Sequence, residues 1–139
     1  MFKKLIEKEN VNVVIHGGCF HSDDVACVAL LKLLHKNVNV SRKFNVNVDI
    51  ETADYILDIG RVDKVTENQV ILDHHQAPEL IEGTEVKHCS FSKLTERMID
   101  PDNVLFKKHL YNALVLPVAA QDNGQNYAEF GLVPSLLHL

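Results

Sequence analysis

The chain has 139 residues, 46% of them apolar and 24% charged, with a net charge of −5 from 14 basic and 19 acidic side chains. That fits one globular domain spanning residues 1–139 with a real core. The acidic balance argues against a broad electrostatic grip on nucleic acid, though not against a local one once bound cations are counted. No apolar run reaches the ~18–20 residues of a membrane span. The cysteines, Cys19, Cys27 and Cys89, are odd in number and form no CxxC pair, which reads as a reducing, cytoplasmic setting without a disulfide framework.

Met1 to Asn10 reads as a short, charged amphipathic stretch, and no signal peptide is expected there. Val11 to Ile15 reads as a first buried strand, placed centrally in a sheet. It runs into His16-Gly17-Gly18-Cys19-Phe20-His21-Ser22-Asp23-Asp24, where the two glycines allow a tight turn and close backbone approach. Ser22 or Asp23 is the expected helix cap, and Asp24 favours the first turn. Val25 to Leu34 is apolar all round apart from Lys32, so that helix is expected to be buried. Asn37 to Lys43 reads as a polar connection. Phe44, Val46, Val48 and Ile50 then alternate with Asn45, Asn47 and Asp49, the period of a half-exposed edge strand.

Tyr55-Ile56-Leu57-Asp58-Ile59-Gly60 is a short buried strand ending in a carboxylate. Val62 to Thr66 and Gln69 to Leu72 read as a hairpin-like pair, and the second leads into Asp73-His74-His75. Gln76 to Lys87 is a polar loop, and Phe91 to Ile99 a helix capped by Ser90 or Ser92. Asp100-Pro101-Asp102 breaks the chain before a helical pattern from Val104 to Val118, which Pro117 should kink or interrupt. Gly124 is its candidate C-cap. Asn126 to Leu139 is weakly patterned. The alternation of apolar strands with helices predicts an α/β fold, a mainly parallel sheet flanked by helices.

Four segments offer metal-capable groups at strand or helix ends: His16, His21 and Asp23; Asp58; Asp73, His74 and His75; and Asp122. Ligands bind at such strand ends in open α/β sheets. Adjacent histidines on an extended chain point to opposite sides, so one of His74 and His75 can hold a metal while the other faces substrate. Mixed carboxylate and imidazole donors suit Mn²⁺ best, with Mg²⁺, Fe²⁺ or Co²⁺ as substitutes. Two such ions ~3.5–4 Å apart would activate a water and neutralise a phosphoryl group in transfer.

These segments resemble the DHH phosphoesterases. Asp73-His74-His75 matches the motif that names that family. The segment His16 to Asp24 is most similar to the branch of melanocyte-proliferating-gene-like exonucleases, which carry His-Asn-Gly-Thr-Phe-His-Cys-Asp-Glu. Asp58-Ile59-Gly60 resembles that branch's Asp-Val-Gly, and Ala120-Gln121-Asp122-Asn123-Gly124 its Ile-Asp-Asn-Gly. The resemblance implies a fold like the first domain of those enzymes. It implies a first metal on His16, His21 and Asp58, and a second on Asp23, Asp58, His74 and Asp122, with Asp58 bridging. His75 would face the phosphate as proton donor or transition-state stabiliser, and Asp73 would orient a neighbouring histidine.

Members of that family usually carry a second, substrate-binding domain, and the 139 residues are expected to lack it. An open metal site then calls for a small phosphoester or for a partner subunit, a homo-oligomer included, to supply the other wall. The leading reading is a metal-dependent phosphodiesterase acting on a nucleotide or short single-stranded nucleic acid. The alternative is a binding module that holds metal and captures a phosphorylated nucleotide without turnover. A purely structural protein would leave the polar loops without chemistry.

Overall fold

The computed structural model describes residues 3–44, 52–59, 62–73, 79–98 and 102–132. Its strands are β1 (Asn10–His16), β2 (Asn37–Lys43), β3 (Tyr55–Leu57), β4 (Lys64–Val65) and β5 (Val70–Leu72). They form one sheet in the order β2-β1-β3-β5-β4. Strand β1 pairs parallel with β2 and β3, and β3 pairs parallel with β5. Strand β4 closes the edge antiparallel to β5. Helices α1 (Lys3–Ile6), α2 (Ser22–Leu34), α3 (Ser90–Met98), α4 (Val104–Leu110) and α5 (Leu116–Asp122) flank this sheet. The α/β class with a mainly parallel sheet is therefore as the strand and helix punctuation predicts. Among the described residues, no helix is long and apolar enough to cross a membrane.

Strand side chains alternate between two faces, and the core follows that alternation. Val11, Val13, Ile15, Tyr55, Leu57, Val70 and Leu72 join Ala26, Cys27, Leu31, Phe91, Leu94 and Val118 in the main core. The intervening Val14, Ile56 and Ile71 form a smaller cluster with Ala53 on the other face. With apolar groups on both faces, β3 and β5 read as unbroken hydrophobic runs.

Three expectations change. Asn37 to Lys43 is not a connection but the edge strand β2, paired with β1 along its whole length. Its side chains are mostly exposed, so backbone pairing rather than an apolar run defines it. The turn before it is pinned by His35: Nδ1 lies 2.7 Å from the Lys8 carbonyl and Nε2 2.7 Å from the Tyr55 hydroxyl. With β2 beyond β1, the middle strand is β3 rather than Val11–Ile15. The strand expected from Phe44 to Ile50 lies outside the described residues beyond Phe44. Helix α2 is also not buried all round: Ala26, Cys27 and Leu31 face the core, whereas Leu33 is 84% exposed. Its packing against one sheet and one helix layer covers a stripe, not the full cylinder.

The hairpin and the two later helical segments are present, with shorter bounds for the hairpin. Ser92 reaches back to cap α3, its Oγ accepting the Cys89 N–H at 2.8 Å. The interruption expected from Pro117 takes the form of a π-helical segment, Tyr111–Val115, between α4 and α5, with Pro117 in the first turn of α5. Gly124 follows α5 at φ +68, and Gln125 N–H donates to Ala120 O, the bond pattern of a glycine-terminated helix. Asp100, Pro101 and the tail from Val133 lie outside the described residues.

Candidate metal centre

Parallel pairing of β1, β3 and β5 brings their carboxyl ends to one edge, and each strand ends in a polar group. His16 is the last residue of β1, Asp58 follows β3 and Asp73 follows β5. The Asp58 N–H donates to Leu72 O at 2.9 Å, which stitches the last two ends together. Helix α2 starts at the same edge. Its N-cap is His21 rather than Ser22 or Asp23, because the Asp24 carboxylate accepts the His21 N–H at 3.0 Å. The side chains of α2's first turn are thereby turned inward, and Ser22, Asp23 and Asp24 are all buried.

The side chains converge in two groups, each with ligand atoms within 4.8 Å of one another: His16, His21, Asp24 and Asp58; and Asp23, Asp58 and Asp122. Asp58 belongs to both. Its backbone sits at φ +61, left-handed and uncommon for a residue with a side chain, though tolerated best by Asn and Asp. That conformation holds the carboxylate at the junction of the two groups.

His16 Nδ1 lies 2.7 Å from the Gly17 carbonyl, so Nδ1 carries the proton and Nε2 is the free ring nitrogen of the neutral imidazole. Nε2 lies 2.7 Å from Asp24 Oδ2 and 3.1 Å from Asp58 Oδ2. Neither approach is aligned as a hydrogen bond. His21 Nδ1 is 4.0 Å from the same Asp24 oxygen. Asp23 Oδ1 accepts the Phe91 N–H at 2.7 Å, which orients its other oxygen.

The electrostatics are those of crowded, desolvated acids. Burial, then the charges of Asp122 and Asp58, hold the Asp23 carboxyl well above the ordinary carboxylate range. Burial also raises Asp24, partly offset by the His21 N–H. Burial alone would lower His16, but the Gly17 carbonyl and the carboxylates of Asp24 and Asp58 outweigh it and raise the imidazole. Among the described residues, His16 Nε2, Asp23 Oδ2 and Asp24 Oδ1 are buried without a hydrogen-bond partner. Buried polar atoms normally find partners; a cation in the first group would serve His16 and Asp24, one in the second would serve Asp23, and either would relieve the repulsion. Nitrogen and carboxylate oxygen donors suit a divalent cation of the harder or borderline kind. The thiols Cys27 and Cys89 lie beside this cluster, and burial pushes both well up, away from the thiolate form.

Of the residues singled out on sequence grounds, His16, His21, Asp23, Asp58 and Asp122 fall in the two groups. Asp73 is buried at the same edge but belongs to neither; its N–H donates to Asp63 Oδ1 and its carbonyl accepts from Lys93 Nζ. His74 and His75 lie outside the described residues. Asp24, which its sequence position explains as a first-turn residue, stands among the convergent carboxylates. The signal was its place three residues after His21, where a side chain folds back over the helix start.

A cleft of about 290 Å³, lined by Phe20, His21, Ser22, Gln121 and Asp122, opens beside the cluster. A larger groove of about 560 Å³ lies elsewhere, between the Gly83–Val86 loop and Asn112, Leu116, Phe130 and Leu132. Glu85 is the one acid among its lining residues and no imidazole joins it, whereas His21 and Asp122 of the two groups line the smaller cleft.

No curated protein and no solved structure matches the chain. The family model MYG1_exonuc, described as Uncharacterised protein family (UPF0160), matches residues 12–136 and so runs from β1 through every residue of the two groups. The chain belongs to the MYG1_exonuc family.

Proposed function

We propose that the chain is a metal-dependent phosphodiesterase that hydrolyses short single-stranded oligonucleotides or nucleotide-derived phosphodiesters. The observation that carries this reading is the pair of side-chain groups sharing Asp58. The family's name, which denotes an exonuclease, points the same way. His16, His21 and Asp58 would hold one cation, with Asp24 as an added carboxylate. Asp23, Asp58 and Asp122, with His74, would hold the other, Asp58 serving both groups. The cations, Mn²⁺ by donor chemistry, supply Lewis acidity: charge neutralisation on the phosphoryl oxygens and a lowered pKa for the attacking water.

The rest is the work of the chain. His75 faces the phosphate and gives a proton to the leaving-group oxygen. Asp73, buried at the end of β5, orients a neighbouring histidine. The Gly17 carbonyl keeps the His16 proton on Nδ1, so Nε2 stays available to the site.

The test is hydrolysis of a short single-stranded oligonucleotide with Mn²⁺ and with a chelator, on the wild type and on His75→Ala. The expected result is Mn²⁺-dependent cleavage that falls by about 10²–10⁴ in the variant while bound metal is unchanged. Metal bound without turnover by the wild type would transfer the site to ligand capture. Loss of metal in His75→Ala would exchange the roles of His74 and His75.

A further inference from the structure

The rim of the cleft on the β2 side is aromatic and cationic, and nothing in the metal chemistry uses it. Phe20, on the loop between β1 and α2, is 48% exposed and lines the cleft beside His21 and Asp122. The Arg42 guanidinium, from the end of β2, lies over its ring at 3.8 Å from the centroid. Arg42 is itself held by the Gly18 carbonyl. Two residues on, Phe44 is 86% exposed, and its ring lies on Gly17: a Cβ there would stand 2.7 Å from the ring edge. The glycine therefore makes room for an aromatic ring next to His16.

Exposed aromatic residues scattered singly need no explanation. Here one, Phe20, lies under an anchored arginine and lines a cleft shared with His21 and Asp122, and the other, Phe44, packs on Gly17 next to His16 in the chain. A chain of net charge −5 cannot hold a polyanion by broad attraction. Affinity must come from local contacts, and base stacking on aromatic rings with arginine beside them is the usual local contact to single strands.

We infer that Phe20, Arg42 and Phe44 form a stacking rim that takes the unpaired bases flanking the phosphate held at the cluster. The substrate class is rested on the phosphodiesterase reading above. The rim makes it specific: bases must be splayed from their neighbours to reach a phenylalanine face, so single strands bind and duplexes do not. Phe20 and Phe44 accept the bases, and Arg42 fixes the Phe20 ring while facing the backbone phosphates.

The chain has no tryptophan, so Phe20→Trp places one fluorophore on the rim. It is titrated, with Ca²⁺ replacing Mn²⁺, against a short single-stranded oligonucleotide and against an abasic chain of equal length. Quenching by the first and not by the second is the expected result. Phe20→Ala, followed by competition against a labelled strand, should weaken the base-bearing ligand by about 5–100-fold more than the abasic one. Equal quenching by both ligands, quenching by neither, or equal weakening in Phe20→Ala would overturn the rim; a mere loop clasp gives equal weakening. Base-selective binding without hydrolysis would sustain the rim while ending the phosphodiesterase reading. Hydrolysis with no preference for bases would do the reverse.

Discussion

Two buried polar regions meet where the Phe91 N–H donates to Asp23, and they are built on opposite rules. Around α3, most buried polar groups among the described residues find partners, the Tyr111 hydroxyl excepted. Ser92 Oγ accepts the Cys89 N–H and lies 2.7 Å from His88 Nδ1, while His88 Nε2 stands 3.3 Å from Glu96. Lys93 Nζ donates to Asp63 at 2.7 Å and to the Asp73 carbonyl at 2.6 Å. Asn123 Nδ2 donates to the carbonyls of Lys87, His88 and Ala119. At the ends of β1 and β3 and the start of α2, carboxylates instead crowd together, and buried atoms of His16, Asp23 and Asp24 have no hydrogen-bond partner among the described residues. A closed network specifies the fold; an open one spends stability on a site that a cation would complete.

The comparison breaks most sharply at Asp58 and Lys93. Asp58→Asn keeps the shape and tolerates the left-handed backbone, but removes the carboxylate common to both groups. Loss of a residue that supports a ligand costs about 10–100-fold in metal affinity, so loss of the shared ligand should exceed that. Elemental analysis after dialysis should find it metal-poor, while urea unfolding in a chelator should find its stability undiminished. Asp24→Asn does not serve as a control, since Asp24 lies 2.7 Å from His16 Nε2.

Lys93→Met should do the opposite. It strips the donor from Asp63 and from the buried Asp73 carbonyl and should cost about 2–3 kcal/mol in urea unfolding, with bound metal retained. Asp63 is 30% exposed, so water screens part of what a fully buried partner would lose. A Lys93→Met protein as stable as wild type would mean that the α3 network is ornament. A destabilised Asp58→Asn would mean that the acidic cluster holds the fold together.

How much of this could be read from the chain follows from the range of each interaction. His16, Asp58 and Asp73 end apolar runs, and parallel pairing is enough to bring strand ends to one edge; the α/β class and that edge were therefore legible. Strand β2 was not, because its evidence is backbone pairing with β1 while its side chains stay in water. Asp24 was hidden by an adequate local explanation, the preference of acids for a helix start, which left no residue unexplained. Lys93 was unreadable: in sequence it is one cation of a helix, and only the fold sets it beside Asp63, thirty positions away. The π-helical segment ahead of Pro117 was foreseen as an interruption but not as a π turn, since proline removes a donor without dictating where the register shifts.

The two regions should also respond to pH in opposite directions. Asp23 and Asp24 have folded-state pKa values raised above 3.8 by burial, so the folded, metal-free protein binds their protons more tightly than the unfolded chain does. Their contribution to stability is present at low pH and is lost as pH rises from about 3.8 through the raised values. Glu96 is the reverse. The His88 side chain holds its pKa below 4.5, so its contribution is present above that value and is lost as pH falls through the lowered one. Urea midpoints of the metal-free protein, taken from pH 4 upward, should therefore decline, and saturating metal should abolish the decline by replacing protons with cations. Glu96→Gln isolates the smaller term. Glu96 is about one-third exposed and pairs with a single imidazole, so the variant should cost about 0.5 kcal/mol at neutral pH. Its curve should converge with that of the wild type at the acid end and leave the decline above pH 4 intact. A Glu96→Gln protein that also lost this decline would couple the two regions into one titrating system, and the distinction between a closed network and an open site would fail.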